Sequence, residues 1–294
     1  MNSELTHIGV VTVLYNSFDV VDDFIESLMN TRNVQLTLVA ISNGNDALTL
    51  SKIEARISGS EINLHIIHNK KNLGVAAANN QGIAKCKEIG LTEVLIANND
   101  VVFDSNCIAE LVASRKTGFE AVSPVITYFE APDKIWFAGG YLNYLTGRTV
   151  HQYIGKDTSI VATSDFKCGY APTCFLLISV ETLERCGLFD ARYFVYYDDS
   201  DFFHRFNTLG FSLGISVKSR VKHKVSSSTG GPLSSFTIYH TIRNRLWFIK
   251  KNFNIPSKMT AILSMILSTA VRLVAIKEFR RREVLLGFKD GLFK

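Results

Sequence analysis

Three groups of side chains in this 294-residue sequence have the types and spacing needed for chemistry. The first is Asn98-Asn99-Asp100, which directly follows the apolar run Glu93–Ala97 (EVLIA). A single carboxylate there can hold Mg²⁺ or Mn²⁺ if phosphate oxygens complete the shell, because hard cations prefer oxygen ligands. The same triplet also suits an Asn/Asp turn, or a cap for a helix near Ser105. The second group, Asp198, Asp199 and Asp201, sets three carboxylates within four residues. They repel one another and need a cation, a helix N-terminus or hydrogen bonds. One of them, beside a metal and a hydroxyl, can serve as a general base; ordinary placement of acids at a helix start accounts for the cluster equally well. The third is His223 in Val221–Lys224 (VKHK), just before the Ser/Gly-rich Ser226–Gly231. A histidine standing alone is more often a surface or core residue than a ligand.

The elements that must position these groups alternate in type. Ile8–Tyr15 (IGVVTVLY) is a β-branched run that predicts a buried parallel strand. Ser17 then suits an N-cap, with Val20, Val21, Phe24, Ile25 and Leu28 on one helical face. Gln35–Ile41 predicts a second strand, closed by the turn signal Ser42–Asn45 (SNGN). Ile62–His68 predicts a third, followed by the loop Asn69–Gly74 and an Ala-rich helix over Val75–Lys87. Glu93–Ala97 is the fourth strand. This alternation predicts a parallel, Rossmann-like sheet whose ligands bind at the carboxyl ends of the strands. Further on, Phe119–Ile126 and Phe175–Ser179 read as strands, with a Gly/Tyr-rich excursion at Gly139–Gly155. Ser200–Leu209 reads as a helix behind the acidic cluster.

The end of the chain differs in kind. From Met259 to Ile276 the apolar residues follow helical spacing for 18 residues, the lower limit for a membrane span, and Arg272 interrupts them. A charge there costs about 2.5–3.5 kcal/mol on insertion scales. Lys277, Arg280, Arg281 and Arg282 follow. The pattern predicts an amphipathic helix that lies on an anionic membrane face, packs on the body or serves a homodimer.

Charge supports that division. The net charge is +5, yet from Lys250 to Lys294 ten Lys or Arg stand against Glu278, Glu283 and Asp290, leaving the body slightly acidic. That distribution argues against nucleic acid as a partner. The composition, 47% hydrophobic and 20% charged, excludes a disordered or fibrous chain. Five cysteines with no C-x-x-C pair read as buried thiols in a reducing compartment. Met1–His7 is polar, so no N-terminal signal is expected. Walker, G-x-G-x-x-G, G-x-S-x-G and H-E-x-x-H motifs are missing, which lowers the standing of P-loop enzymes, dehydrogenases, hydrolases and zinc proteases.

Taken together, the segments resemble the family 2 glycosyltransferases, and within them the rhamnosyltransferase-like branch of bacterial polysaccharide synthesis. Val11–Asn16 (VTVLYN) is similar to the family's first strand. Asn72–Gly82 (NLGVAAANNQG) resembles its Asn/Gly/Ala segment, and Leu95–Val101 (LIANNDV) its metal-binding motif. Gly187–Asp190 (GLFD) with Tyr196–Asp201 (YYDDSD) resembles the catalytic segment, and Tyr239–Leu246 (YHTIRNRL) the Y-x-x-x-R-N segment. The resemblance implies an α/β GT-A fold over 1–249, with a Rossmann-like, mostly parallel central sheet flanked by helices, and a basic amphipathic helical tail over 250–294. It implies an inverting transfer of a sugar, rhamnose from dTDP-rhamnose in the first instance or a hexose from a UDP-sugar. The acceptor would be a glycan, lipid-linked, in O-antigen or capsule synthesis, at the cytoplasmic face of the membrane. A catalytically weak membrane-associated homologue is the alternative from another class.

Carried onto this chain, the resemblance makes Asp199 the base and gives Asp100 and His223 to Mg²⁺ or Mn²⁺. It places Val13, Tyr15, Asn16, Ser42, Asn43, Asn72, Asn79, Asn98 and Asn99 at the nucleotide-sugar donor. Asp198, Asp201, Thr173 and Arg243 fall on the acceptor side or orient it. The sequence departs from the family pattern where Ser42 replaces an Asp, where Asn98 replaces the first Asp of the metal motif, and where Thr173-Cys174 replaces a Gly-Ala pair.

Overall fold

The protein was analysed as a computed structural model, which describes residues 5–44, 46–224, 231, 233–276 and 280–293. The polar stretch before Leu5, Asn45 of the predicted turn, the Ser226–Gly230 part of the Ser/Gly-rich segment and Lys277 lie outside the described residues.

The β-branched and apolar runs form a sheet, since strands buried on both faces read as near-continuous apolar runs. Its first half is β1 (His7–Leu14), β2 (Gln35–Asn43), β3 (Asn63–Asn69) and β4 (Glu93–Ala97), paired in parallel in the order β3-β2-β1-β4. Its second half holds β5 (Val101–Phe103), β6 (Ala121–Tyr128), β7 (Ile135–Phe137), β10 (Phe166–Cys168), β11 (Phe175–Ser179) and β12 (Leu213–His223). Between β7 and β10 the predicted Gly/Tyr-rich excursion is a hairpin, β8 (Gly140–Asn143) with β9 (Arg148–His151). β11 runs antiparallel to both β4 and β6, and β12 runs parallel to β6. Six strands of the main path (β3, β2, β1, β4, β6, β12) therefore point one way. The expected mostly parallel α/β sheet is present.

Helices α1 (Val21–Met29), α2 (Ala47–Ile57), α3 (Val75–Glu88), α4 (Cys107–Arg115), α5 (Val180–Cys186), α6 (Asp198–Thr208) and α7 (Ser235–Asn252) flank the sheet. Val21, Phe24, Ile25 and Leu28 of α1 are fully buried, each contributing about 1.5–3 kcal/mol of apolar burial. Ser17 does not cap α1 through its side chain. Its Oγ accepts from Tyr15 N and its carbonyl closes the turn to Val20 and Val21, so the helix starts later than expected. α3 lies hard against the sheet, because a Cβ on Gly82 would overlap Val11 and come within 2.9 Å of Ile41 Cδ1.

The tail is two helices, α8 (Ile255–Ala275) and α9 (Arg281–Phe293), and Lys250 sits in the last turn of α7. α9 docks on α7 through Gly287 and Gly291, whose missing side chains let Ile242 and Leu246 approach. Tyr239 Oη donates to Asp290 Oδ2 at 2.7 Å, and Lys250 Nζ donates to the Leu292 carbonyl at 2.7 Å. α8 buries Ala261, Met265 and Thr269 and leaves Met259, Leu263, Ile266, Leu267, Val271 and Val274 exposed. By length and composition it is apolar enough to cross a membrane, with only 17% of its most apolar window buried.

Gly82→Ala is expected to lose about 1–3 kcal/mol of stability by overpacking, read as a lower urea midpoint at unchanged slope. An unchanged midpoint would show that α3 can lift off β1 at no cost.

Candidate active site

The carboxyl ends of β1, β2, β3 and β4 share one edge because those strands are parallel. Most of the residues expected at the donor gather there. Val13 is half-buried near the end of β1, and its carbonyl accepts from Asn99 Nδ2 at 2.7 Å, which ties the ends of β1 and β4 together. Tyr15 is exposed, with its ring 3.5 Å from where a Cβ on Gly44 would stand. Asn16 follows in the left-handed region with φ 52°. Ser42 is buried, and its hydroxyl donates to the Gly44 carbonyl at 3.2 Å.

Asn43 acts as a latch for the loop Asn69–Gly74. Its Nδ2 donates to Asn72 Oδ1 at 2.9 Å, and its Oδ1 accepts from Leu73 N at 2.9 Å and from Asn69 Nδ2 at 3.2 Å. Asn72 Oδ1 in turn accepts from Gly74 N at 2.9 Å. Gly74, at φ +85°, leads straight into α3, where a side chain would overlap Phe194. Asn79 is buried on α3. Its neighbour Asn80, not singled out in the sequence, exchanges two hydrogen bonds with the backbone of Phe189 and pins the segment Gly187–Asp190 to α3. Asn98 is half-buried; its N–H donates to the Cys174 carbonyl at 2.8 Å, so Thr173-Cys174 borders the same edge.

Asp100 and His223 come together although 123 residues separate them in sequence. β12 pairs antiparallel with β5, placing His223 opposite Val101, and Lys224 N donates to the Asp100 carbonyl at 2.9 Å. His223 Nε2 then lies 3.2 Å from Asp100 Oδ1, and both residues are buried. Two donor atoms at right angles around a small divalent cation, each about 2.1 Å from it, stand about 3 Å apart. The spacing fits that role. Among the described residues no group of three or more His, Cys, Asp or Glu side chains could hold a metal. A cation here would draw its remaining oxygens from phosphate or water. His223 Nδ1 is buried with no hydrogen-bond partner, and the Trp136 ring packs edge-on against the imidazole at 4.6 Å.

The acidic cluster forms the first turn of α6 and does not precede the helix as predicted. Three carboxylates there are favoured by the partial positive charge of the helix N-terminus. Tyr196 and Tyr197 precede it in the left-handed region, at φ 61° and 69°. Asn244 of α7, wholly buried, holds that turn by donating to the carbonyls of Val195 at 2.7 Å and Tyr196 at 3.0 Å.

The three acids meet different surroundings. Asp201 is fully buried and paired with Arg205 Nε at 3.0 Å and Lys251 Nζ at 2.8 Å, and it accepts from Asn252 Nδ2 at 2.9 Å. Asp198 is buried, and burial together with the Asp199 charge pushes its carboxyl well above the usual carboxylate range. Burial raises Asp199 too, opposed by hydrogen bonds from Tyr170 Oη at 2.5 Å and Ser200 N at 2.6 Å.

Asp199 opens into a cavity of about 330 Å³ between the β8–β9 hairpin, α6, α7 and α8. Arg243, expected on this side, does not line it. Its guanidinium packs over Trp247 at 4.4 Å and bonds Asn244 Oδ1 at 2.8 Å. Arg245, two residues on, lines the cavity instead, with Arg148, Tyr170 and Arg272. A helical period explains the exchange, since residues two apart face nearly opposite sides. Cys174 sits between the two centres; burial pushes its thiol well above the ordinary range, and both Asp100 and Asp199 add to the effect.

Comparison with known proteins bears on the fold and the family. The model described as Glycosyl transferase family 2 matches residues 9–187, a stretch that takes in the strand edge and Asp100 and stops before Asp199 and His223. A protein of Haemophilus influenzae named an uncharacterized glycosyltransferase is 27% identical over 162 residues. Those residues are 55% of this chain and 42% of the relative, so the chain spans less than half the relative's length. The structure of GalNAc-T7 with UDP, GalNAc and Mn²⁺ is similar at TM-score 0.63 and 14% identity, over 94% of this chain and 58% of that one. Residues 1–349 of TarS from S. aureus with UDP-GlcNAc give 0.62 at 13%, over 97% and 80%. The mannosyltransferase PcManGT of Pyrobaculum calidifontis with GDP-Man and Mn²⁺ gives 0.58 at 13%, over 97% and 87%. At such identities the likeness is one of fold, and that fold is GT-A. With its strand edge, Asp100 and more than half its length inside the family model, the chain belongs to glycosyl transferase family 2.

Proposed function

We propose that the chain is an inverting, metal-dependent glycosyltransferase that moves a sugar from a nucleoside diphosphate to a hydroxyl of a glycan acceptor. The observation that carries this reading is the position of Asp199. It is a half-buried carboxylate opening into a cavity, and the Asp100–His223 pair and the strand edge do not line that cavity. Donor and acceptor thus have separate approaches to one reacting centre. The acceptor oxygen forms a bond to the anomeric carbon as the bond to the departing phosphate oxygen breaks. The nucleoside diphosphate leaves with the electron pair, and the hydroxyl proton passes to Asp199. One displacement of this kind inverts the anomeric configuration. Asp100 and His223 would hold Mg²⁺ or Mn²⁺, which supplies positive charge for the leaving diphosphate. Tyr170 orients the carboxylate, and Tyr15, exposed over Gly44, offers a ring to the base.

For the donor we retain rhamnose from dTDP-rhamnose, on the Tyr239–Leu246 segment, with a UDP-hexose as the second reading because several neighbours were solved with UDP or a UDP-sugar. The acceptor is taken as a lipid-linked glycan of O-antigen or capsule type. α8 supports a peripheral site on the cytoplasmic face of the membrane, since its exposed apolar residues lie close in sequence to the exposed Arg280, Arg281 and Arg282.

A thermal-shift panel of dTDP, UDP and GDP, each with and without Mn²⁺, tests the donor. One nucleotide with metal at a hundredfold its Kd adds about 2.7 kcal/mol, roughly 5 °C here, and Asp100→Ala should abolish the shift. A shift that survives Asp100→Ala would remove the ligand assignment.

Asp199→Asn should cut turnover by about 10²–10⁴-fold while keeping the nucleotide shift. Only the ionised carboxylate takes the proton, so the rate falls as pH drops through the raised Asp199 pKa. Tyr170→Phe deletes a hydrogen bond that holds that pKa down, and the acid limb of the rate profile should move to higher pH. A limb that stays put would separate Tyr170 from the base.

The full chain should co-sediment with phosphatidylglycerol vesicles and far less with phosphatidylcholine. Leu263→Glu with Leu267→Glu, both at exposed positions, should release it. Unchanged sedimentation, or a wild-type dimer that these changes break, would refute the membrane role.

A further inference from the structure

The cavity beside Asp199 holds more positive charge than a neutral sugar hydroxyl requires. Arg148 comes from β9, Arg245 from α7 and Arg272 from α8, so three separate elements deliver a guanidinium to one space. Among the described residues no carboxylate forms an ion pair with any of the three. Arg245 is only 4% exposed, and its hydrogen bonds go to a backbone carbonyl, that of Thr146, from Nε at 2.9 Å and from Nη2. Arg148 bonds a hydroxyl, Ser268 Oγ, at 3.2 Å. Burial and mutual repulsion with Arg148 and Arg272 lower the Arg245 pKa to about 10. Holding two further guanidinium groups close to the buried one of Arg245 is unfavourable unless an anion joins them. Some half-buried cations elsewhere in the chain pair with acids, as Arg115 does with Glu93 and Arg205 with Asp201.

The anion is not the donor's diphosphate, because neither Asp100, His223 nor any residue of the strand edge lines this cavity. At about 330 Å³ the space has the size of a small-ligand site. We propose that Arg148, Arg245 and Arg272 form an acceptor subsite for an oxyanion, a phosphate or carboxylate carried by the acceptor close to the hydroxyl that Asp199 deprotonates. The proposal rests on the glycosyltransferase reading for the word acceptor and on the cavity alone for the anion. Two sources share this chemistry. One is the phosphate that joins a glycan to a lipid, and the other an acidic group on the sugar itself. Because Arg272 lies on the same helix as the exposed apolar residues of α8, a lipid-linked phosphate could reach the subsite from that side.

The test uses the full chain in Tris buffer stripped of metal, at fixed ionic strength. Thermal unfolding is titrated with geranyl diphosphate, glucose 1-phosphate, glucuronate and neutral glucose. At least one anion should raise the melting temperature where glucose does not. Its apparent Kd should weaken at least tenfold in Arg245→Gln and in Arg272→Gln, and stay unchanged in Asp100→Ala. Arg272 is exposed on α8, so its variant should melt like the wild type without probe, whatever becomes of the buried Arg245. Binding by geranyl diphosphate alone identifies a lipid phosphate. Binding by glucose 1-phosphate or glucuronate identifies a charged sugar. No binding by any of the three anions, or binding by both Arg variants as tight as by the wild type, overturns the subsite. The nucleotide and Mn²⁺ panel is run beside it. Its failure with anion binding intact removes the transferase reading and leaves the subsite standing; the reverse removes the subsite alone.

Discussion

The geometry around Asp199 depends on a strained turn held by one buried amide. Tyr196 and Tyr197 both occupy the left-handed region, which costs a bulky residue about 1–3 kcal/mol each. Asn244 offsets that cost with two hydrogen bonds to the turn's carbonyls, and Asp201 N closes onto the Tyr197 carbonyl at 2.9 Å. The turn fixes where α6 starts, and the start of α6 fixes where Asp199 points. Asp201 completes the splint by binding Lys251 and Asn252 of α7 and Arg205 of its own helix. A buried carboxylate with those partners is a fixed point, because moving it away from its two cations would leave a buried charge uncompensated. Three acids that look equivalent in sequence thus divide into a buried anchor, Asp201, a buried neighbour whose carboxyl is pushed up, Asp198, and a half-buried carboxylate that lines the cavity, Asp199.

The second constraint is a change of strand direction. β11 runs antiparallel beside β4, so its beginning lies at the end of β4, with Phe175 opposite Ala97. That brings Thr173-Cys174 to an edge otherwise built from strand ends. β12 then reaches the same edge with His223 as its last residue. From His223 an aromatic contact runs to Trp136, on to His151 and to Tyr170, whose hydroxyl bonds Asp199. The Asp100–His223 pair and Asp199 are therefore spaced by packed rings, a stiff spacer in a dense interior.

These origins explain what could be read from the sequence. Strands buried on both faces are near-continuous apolar runs, and Glu93–Ala97 and Phe175–Ser179 were legible to the residue. The Ala-rich helix from Val75 was legible because Gly74 marks its start. Asp100 was readable as a polar residue just past a buried strand. Its contact with His223 was not, since nothing local encodes a pairing of β5 with β12; only the family resemblance joined them. The β8–β9 hairpin read as an irregular stretch because its strands are short and partly exposed. Choosing Arg243 over Arg245 needed the rotation of α7, which its mixed polar and apolar faces do not reveal. The tail read as one amphipathic helix because Gly287 and Gly291, which seat α9 on α7, carry no hydrophobic signal of their own.

The charge of that tail also changes meaning once it is folded. Summed along the sequence, it looks like a single basic edge. In the structure Lys251 neutralises Asp201 and Asp190, and Lys250 binds the carbonyls at the end of α9, where a cation favours the helix terminus. Arg272 lines the cavity by Asp199. Arg280, Arg281 and Arg282 remain exposed, following in sequence the helix whose outward side is apolar. A basic stretch of sequence therefore does three separate things: it anchors the start of α6, it charges a cavity, and it leaves a short exposed cationic run that follows an apolar helix in sequence. Only the last of these has the composition that an anionic lipid surface selects.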